Sequence, residues 1–145
     1  MIYTYPARLE SDEEGRLVVH FPDLPEALTD GADRVEAVAE AADCLSEALA
    51  GRIRRGEEIP LPSPLGDGLY AIAPEPTIAL KAALYEALRK QGISIAELAR
   101  RLGMDEREAG RLLDPRARTR LTSLEAALAA LGYEIGIEVR EKRIA

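Results

Sequence analysis

Between residues 94 and 125 one short pattern occurs three times: Ser94-x-x-Glu97, Asp105-x-x-Glu108 and Thr122-x-x-Glu125. A small oxygen-bearing side chain three residues ahead of a glutamate marks a helix start. The first accepts a hydrogen bond from an otherwise unpaired amide, and the glutamate reaches back. Starts so closely spaced leave room only for short helices and tight turns. Gly103 lies between the first two and suits a left-handed helix stop. The stretch from Ser94 to Leu113 therefore predicts two short amphipathic helices joined by a glycine turn. That is the helix-turn-helix arrangement, which lays its second helix in a DNA major groove.

Phasing the second helix at 100° per residue puts Ala109, Leu112 and Leu113 on one side, to pack on Leu98, Ala99 and Leu102. Arg107 and Arg111 fall together on the opposite side with Gly110 beside them. A guanidinium fork donates two hydrogen bonds to guanine, worth about 1–3 kcal/mol of base discrimination. Gly110 either permits close approach to the groove or weakens the helix by about 1 kcal/mol. Arg100 and Arg101 on the preceding helix, with Arg116, Arg118 and Arg120 after Asp114-Pro115, are candidate phosphate contacts, which orient a protein without reading sequence. Against this stands the plainer reading of an arginine-rich face as solvated surface. Glu106 and Glu108 also sit in the proposed reading helix; capping absorbs Glu108, whereas Glu106 suits DNA only opposite a cytosine amine.

Upstream, Thr77 is expected to cap a helix bearing Leu80, Leu84 and Leu88. Downstream, Tyr133, Ile135, Ile137 and Val139 share one parity and Glu134, Gly136 and Glu138 the other, which is strand periodicity. A lone strand leaves its ladder unpaired, so it pairs either within the chain or with the same strand of a second chain. The second alternative makes these four residues a dimerisation element.

The first half has a different character. Ile2–Leu9 and Arg16–Phe21 are β-rich runs around the polar turn Glu10–Gly15, and Ala27–Thr29 offers a short third strand. Asp33 and Glu36 form a fourth capping box, and Val35, Val38, Ala42, Leu45, Leu49 and Ile53 outline one helix face up to a stop at Gly56. A proline-rich connection leads to a fourth strand at Leu69–Ala73. The order is β-β-β-α-β, an α+β module. Pro74-Glu75-Pro76 is expected to link a domain of residues 1–73 to one of residues 77–145. Charge divides along the same line. Residues 1–76 carry six bases and sixteen acids, net −10, whereas residues 77–145 carry thirteen bases and ten acids, net +3. The acidic half suits a basic protein partner, and the other can approach phosphate.

Taken in order, Tyr5-Pro6-Ala7, Phe21-Pro22-Asp23-Leu24-Pro25, Thr29-x-Gly31 and Gly56-x-x-Ile59-Pro60-x-Pro62-Ser63 resemble the HicB antitoxins of HicA–HicB toxin–antitoxin pairs. Leu98–Gly103 and Arg111-Leu-Leu-Asp-Pro115 are similar to the form of that family with a C-terminal helix-turn-helix. One departure is Glu26-Ala27, where many relatives carry Gly-Cys. The resemblance implies a partial RNase H-like first domain that occludes a small basic HicA-like ribonuclease, and a dimeric second domain that represses the operon.

Catalysis is not expected. Asp12, Glu13 and Glu14 lie in a turn, Asp23 in a proline loop, and Glu36, Glu40, Asp43 and Glu47 along a helix, so no inward strand carboxylates converge as two-metal hydrolysis requires. His20 lacks a catalytic companion, and Cys44 has no basic neighbour to activate it. No cofactor or metal is implied. A single cysteine, no secretory pattern and no apolar run near the ~18 residues of a membrane span fit a cytoplasmic protein. The competing reading is a free-standing transcriptional regulator whose first module senses a small ligand.

Overall fold

A computed structural model describes residues 1–142. It is an α+β protein with strands β1 (Tyr5–Ser11), β2 (Leu17–His20), β3 (Leu28–Gly31) and β4 (Tyr70–Ile72). Its helices are α1 (Arg34–Arg55), α2 (Pro76–Gln91), α3 (Ile95–Leu102), α4 (Glu106–Leu113) and α5 (Leu121–Ala130). The chain forms two compact units. The first comprises residues 1–49, 60–76 and, of the described tail, 140–142; the second comprises residues 50–59 and 77–139.

In the first unit the strands form one antiparallel sheet in the order β3-β2-β1-β4. β1 serves two partners: Arg8–Ser11 pairs with β2, and Tyr5–Ala7 with β4. The β1–β2 turn is held by Asp12, whose carboxylate accepts from the amides of Glu14 and Arg16 at 2.9 Å. Gly15 occupies the left-handed region there, with φ 81°. Tyr5, Ala7, Val19 and Ile72 are buried on the sheet, as the two-residue period requires.

The start of α1 is the expected one, with Asp33 Oδ1 accepting from the Glu36 amide at 2.9 Å. The Glu36 carboxylate reaches one residue further back than in a standard box and takes the Ala32 amide at 2.6 Å. The buried face of α1 keeps Leu45, Leu49 and Ile53 of the expected set but departs from it in the first turns. Val35 is 63% exposed, and Ala37, Ala41, Leu45 and Leu49 are the fully buried set. The reason is close approach. A Cβ on Gly31 would stand 2.6 Å from Ala37 Cα, so the helix meets the end of β3 where only glycine and alanine fit.

The motif residues of this half hold the proline-rich segment down. Asp23 accepts from the Ser63 amide at 2.8 Å and from its hydroxyl at 2.5 Å. The Tyr5 hydroxyl donates to the Pro60 carbonyl at 2.7 Å, and Phe21 and Leu24 of the same motif are buried.

In the second unit, α3 packs against α4 and both pack against α5, around Leu98, Ala99, Ala109, Leu112, Leu124, Ala127 and Leu128. Two helix starts differ from expectation. α2 begins at Pro76, ahead of Thr77, because proline suits the first helical position, where its missing N–H is not needed. α5 begins at Leu121 with Arg120 at the cap and no side-chain cap bond, which places Thr122 inside the first turn. Nor do Tyr133–Val139 form a strand in this chain: no ladder partner meets them, and Ile137 and Val139 are 80% and 90% exposed. Pairing within the chain is thus absent among the described residues.

Gly31→Val should destabilise the first unit by about 2–3 kcal/mol, since its side chain would meet helix backbone rather than a yielding side chain. Urea unfolding measures this, and an unchanged midpoint would refute the close approach.

Candidate nucleic-acid interface

The α3–turn–α4 segment is fixed at both helix starts and at the turn between them. Ser94 Oγ accepts from the Glu97 amide at 3.1 Å, and Asp105 Oδ1 from the Glu108 amide at 2.8 Å. Gly103 ends α3 in the left-handed region at φ 66°, and the Met104 amide donates back to the Ala99 carbonyl at 3.1 Å. This 6→1 bond turns the chain sharply into α4. Ala109 and Leu112 are buried, whereas Leu102 and Leu113 are only half-buried. The expected packing side of α4 is therefore correct, with its centre on the first pair.

On α4, Arg107 and Arg111 are exposed one turn apart, and Glu106 is exposed as well. After Leu113 the chain forms a compact loop. Asp114 Oδ1 accepts from the Arg116 amide at 2.9 Å, and the Ala117 amide donates to the Asp114 carbonyl at 3.1 Å. Arg116, Arg118 and Arg120 are exposed along it, while Ala117 and Thr119 between them are half-buried. Among the described residues, the side chains of Arg107, Arg111, Arg116, Arg118 and Arg120 make no hydrogen bond or ion pair.

Arg100 and Arg101 are different. Both guanidinium groups bond the Glu97 carboxylate, Arg100 at 2.6 and 2.8 Å and Arg101 at 3.0 Å. These hydrogen bonds, Arg100's first, hold the Glu97 carboxyl at about 2, below its ordinary value. Glu97 therefore stays ionised in any neutral buffer, and neither arginine is as available to phosphate as the five on α4 and the loop. Such exposed pairs exchange at little cost.

One cation was not legible as part of this arrangement. Lys81 on α2 is completely buried, and its ammonium donates to the carbonyls of Asp114 at 2.5 Å, Ala117 at 2.7 Å and Arg111 at 3.4 Å. Only its place in the apolar run Ile78–Leu84 could have flagged it.

Elsewhere, His20 is exposed at the end of β2, and Cys44 is half-buried in α1. Burial, with the nearby Glu40, pushes the Cys44 thiol up rather than activating it. Among the described residues no three His, Cys, Asp or Glu side chains are grouped to hold a metal ion, and no helix is long and apolar enough to cross a membrane.

A family model described as HicB-like antitoxin of bacterial toxin–antitoxin system matches residues 4–83. The chain belongs to the HicB-like antitoxin family. Its similarity to curated members extends through the helical unit. It is 37% identical over 133 residues to Antitoxin HicB of Escherichia coli, covering 92% of this chain and 96% of that protein. It is 39% identical over 131 residues to Antitoxin HicB 2 of Photorhabdus laumondii, covering 90% and 92%, and 36% identical over 135 residues to Antitoxin HicB 1 of the same organism, covering 93% and 86%. The relatives are antitoxins by name.

Gly110 is open: a Cβ built on it meets nothing within 4 Å. Gly110→Ala should therefore stabilise α4 by about 1 kcal/mol through helix propensity alone. A loss of stability in urea unfolding would show that the glycine is needed within the chain itself.

Proposed function

We propose that this family member is an antitoxin with two tasks: residues 1–73 bind and occlude a small basic HicA-like ribonuclease, and residues 77–145 repress the operon by binding its DNA. The observation that carries the second task is the set of five exposed, unpaired guanidinium groups on α4 and the loop after it. An arginine without an internal partner gives up no ion pair when it meets a phosphate or a guanine edge. In this reading α3–turn–α4 is a helix-turn-helix, Arg107 and Arg111 read bases, and Arg116, Arg118 and Arg120 hold phosphates. Arg100 and Arg101 contribute to phosphate binding after exchanging Glu97, and Gly110 admits the groove closely.

The first task rests on likeness to the antitoxins and on charge. The net −10 of residues 1–76 favours a basic partner, and Glu40, Asp43 and Glu47 are exposed along α1. The β-β-β-α-β order of this module accords with a partial RNase H-like fold that blocks its partner by contact. The protein works in the cytoplasm, where toxin and operon are.

Reading two half-sites calls for two-fold symmetry, so the protein acts as a homodimer. Tyr133, Ile135, Ile137 and Val139 supply the interface by pairing with the same strand of a second chain. The exposure of Ile137 and Val139 supports this, because apolar side chains left in water favour a covering partner.

Gel shifts on the gene's own upstream region test the DNA face. Arg107→Ala and Arg111→Ala should each relax discrimination between that region and unrelated DNA, while Arg118→Ala should weaken both alike and flatten the salt dependence. Unchanged binding in all three variants would remove the face. Light scattering at micromolar concentration without DNA should give a dimer; a monomer would contradict the terminal-strand interface. For the toxin, co-expression with the neighbouring short basic gene should give a copurifying pair, and a neighbour harmless when expressed alone would overturn that task.

A further inference from the structure

We infer that Lys81 is a positioning residue for DNA recognition: its buried ammonium fixes the end of α4 and the arginine loop in one arrangement. The inference rests on the DNA-binding reading above and assigns a role to a residue that touches no DNA. A lysine ammonium has three donors, and here they meet three backbone carbonyls, those of Arg111, Asp114 and Ala117. The Arg111 carbonyl lies in the last turn of α4 and belongs to one of the proposed base-reading residues. Asp114 is the C-cap of that helix, and Ala117 sits between Arg116 and Arg118. One cation thus ties the base-reading helix to the phosphate-holding loop.

The choice of a cation follows from the helix end. The last carbonyls of a helix have no partner along it and carry its negative pole, so a positive donor suits them better than a neutral one. Placement inside the unit makes the bond set directional, because a buried charge is tolerated only where donors and acceptors are matched. The loop adds its own restraints: Thr119 Oγ1 lies 3.4 Å from both the Arg111 and the Ala117 carbonyls, and the Asp114 carboxylate holds the Arg116 amide. These local bonds shape the loop, and the Lys81 ammonium joins it to α2. Without the ammonium, the carbonyls of Asp114 and Ala117 would turn toward water and carry Arg116 and Arg118 with them.

The test uses the full chain and two duplexes, the gene's own upstream region and an unrelated sequence of equal length, with anisotropy as readout. Lys81→Met keeps the stem and removes the donors. It should lose about tenfold or more in affinity for the upstream duplex, the scale of one base contact, and much less for the unrelated duplex. In the unliganded variant, backbone amide shifts should concentrate at residues 111–119. Lys81→Cys in a Cys44→Ser background, alkylated to the aminoethyl thioether while unfolded and then refolded, restores the ammonium and should restore discrimination. Should Lys81→Met fail to fold, Lys81→Gln, which keeps an amide donor, takes its place with the same readouts.

A purely structural role would lower both affinities by the same factor and leave their ratio unchanged, and that result overturns the inference. Failure of the aminoethyl protein to recover the ratio also overturns it. If the unsubstituted protein binds neither duplex, the DNA-binding reading itself falls, a result distinct from loss of the Lys81 effect.

Discussion

The ammonium of Lys81, sealed from solvent and surrounded by the carbonyls of Arg111, Asp114 and Ala117, is the interaction on which the second unit's outer face depends. A buried charge without matched partners is among the more expensive things a small domain can hold. Its presence here means that α2, the end of α4 and the loop beyond it have to be placed together. The same placement leaves Arg107, Arg111, Arg116, Arg118 and Arg120 outside, on a helix and a loop whose backbones are already bonded. Their guanidinium groups are therefore presented by a scaffold and not by a mobile tail, which is what recognition with little ordering cost needs.

The first unit uses its polar residues in another way. Asp23 and Ser63 clasp one another, Tyr5 holds the Pro60 carbonyl, and Arg16 pairs with Asp30 at 2.9 Å. The residues that make the sequence resemble HicB antitoxins are thus mostly those that shape the fold. Gly31 belongs with them, because a side chain there would strike the backbone of α1. Such motifs identify a family through architecture, and they say little about which acids face a partner. The acids that bond within the unit, among them Asp12, Asp23, Asp30, Asp33 and Glu36, are distinct from Glu40, Asp43 and Glu47, which are exposed along α1.

What was legible in the sequence follows the range of the interaction concerned. Asp33, Ser94 and Asp105 cap their helices as their spacing predicts, since a cap is settled within four residues. The β-β-β-α-β order and the packing side of α4 were likewise readable from local periodicity. Thr122 has the same spacing and is not a cap, because α5 begins at Leu121, two residues earlier than a cap at Thr122 would place it, with Arg120 at the cap position. In its first turns the buried face of α1 departs from the apolar periodicity for a related reason. Ala37 and Ala41 carry little hydrophobic signal, and only the proximity of Gly31 makes small residues the buried ones. The partners of Lys81 are not legible, since nothing in one helix reveals that carbonyls from residues 30 or more positions away converge on it. The tail from Tyr133 to Val139 has a strand's alternation but forms no ladder among the described residues.

The most direct measurement is an amide chemical-shift map of the full chain as a duplex from the gene's own upstream region is added. The largest shifts should fall on Glu106–Leu113 and on residues 114–120, with smaller ones on α3 and little change in the sheet of the first unit. Shifts centred on that acidic sheet or on α1, or no shifts at concentrations where the DNA is in excess, would contradict the proposed DNA face.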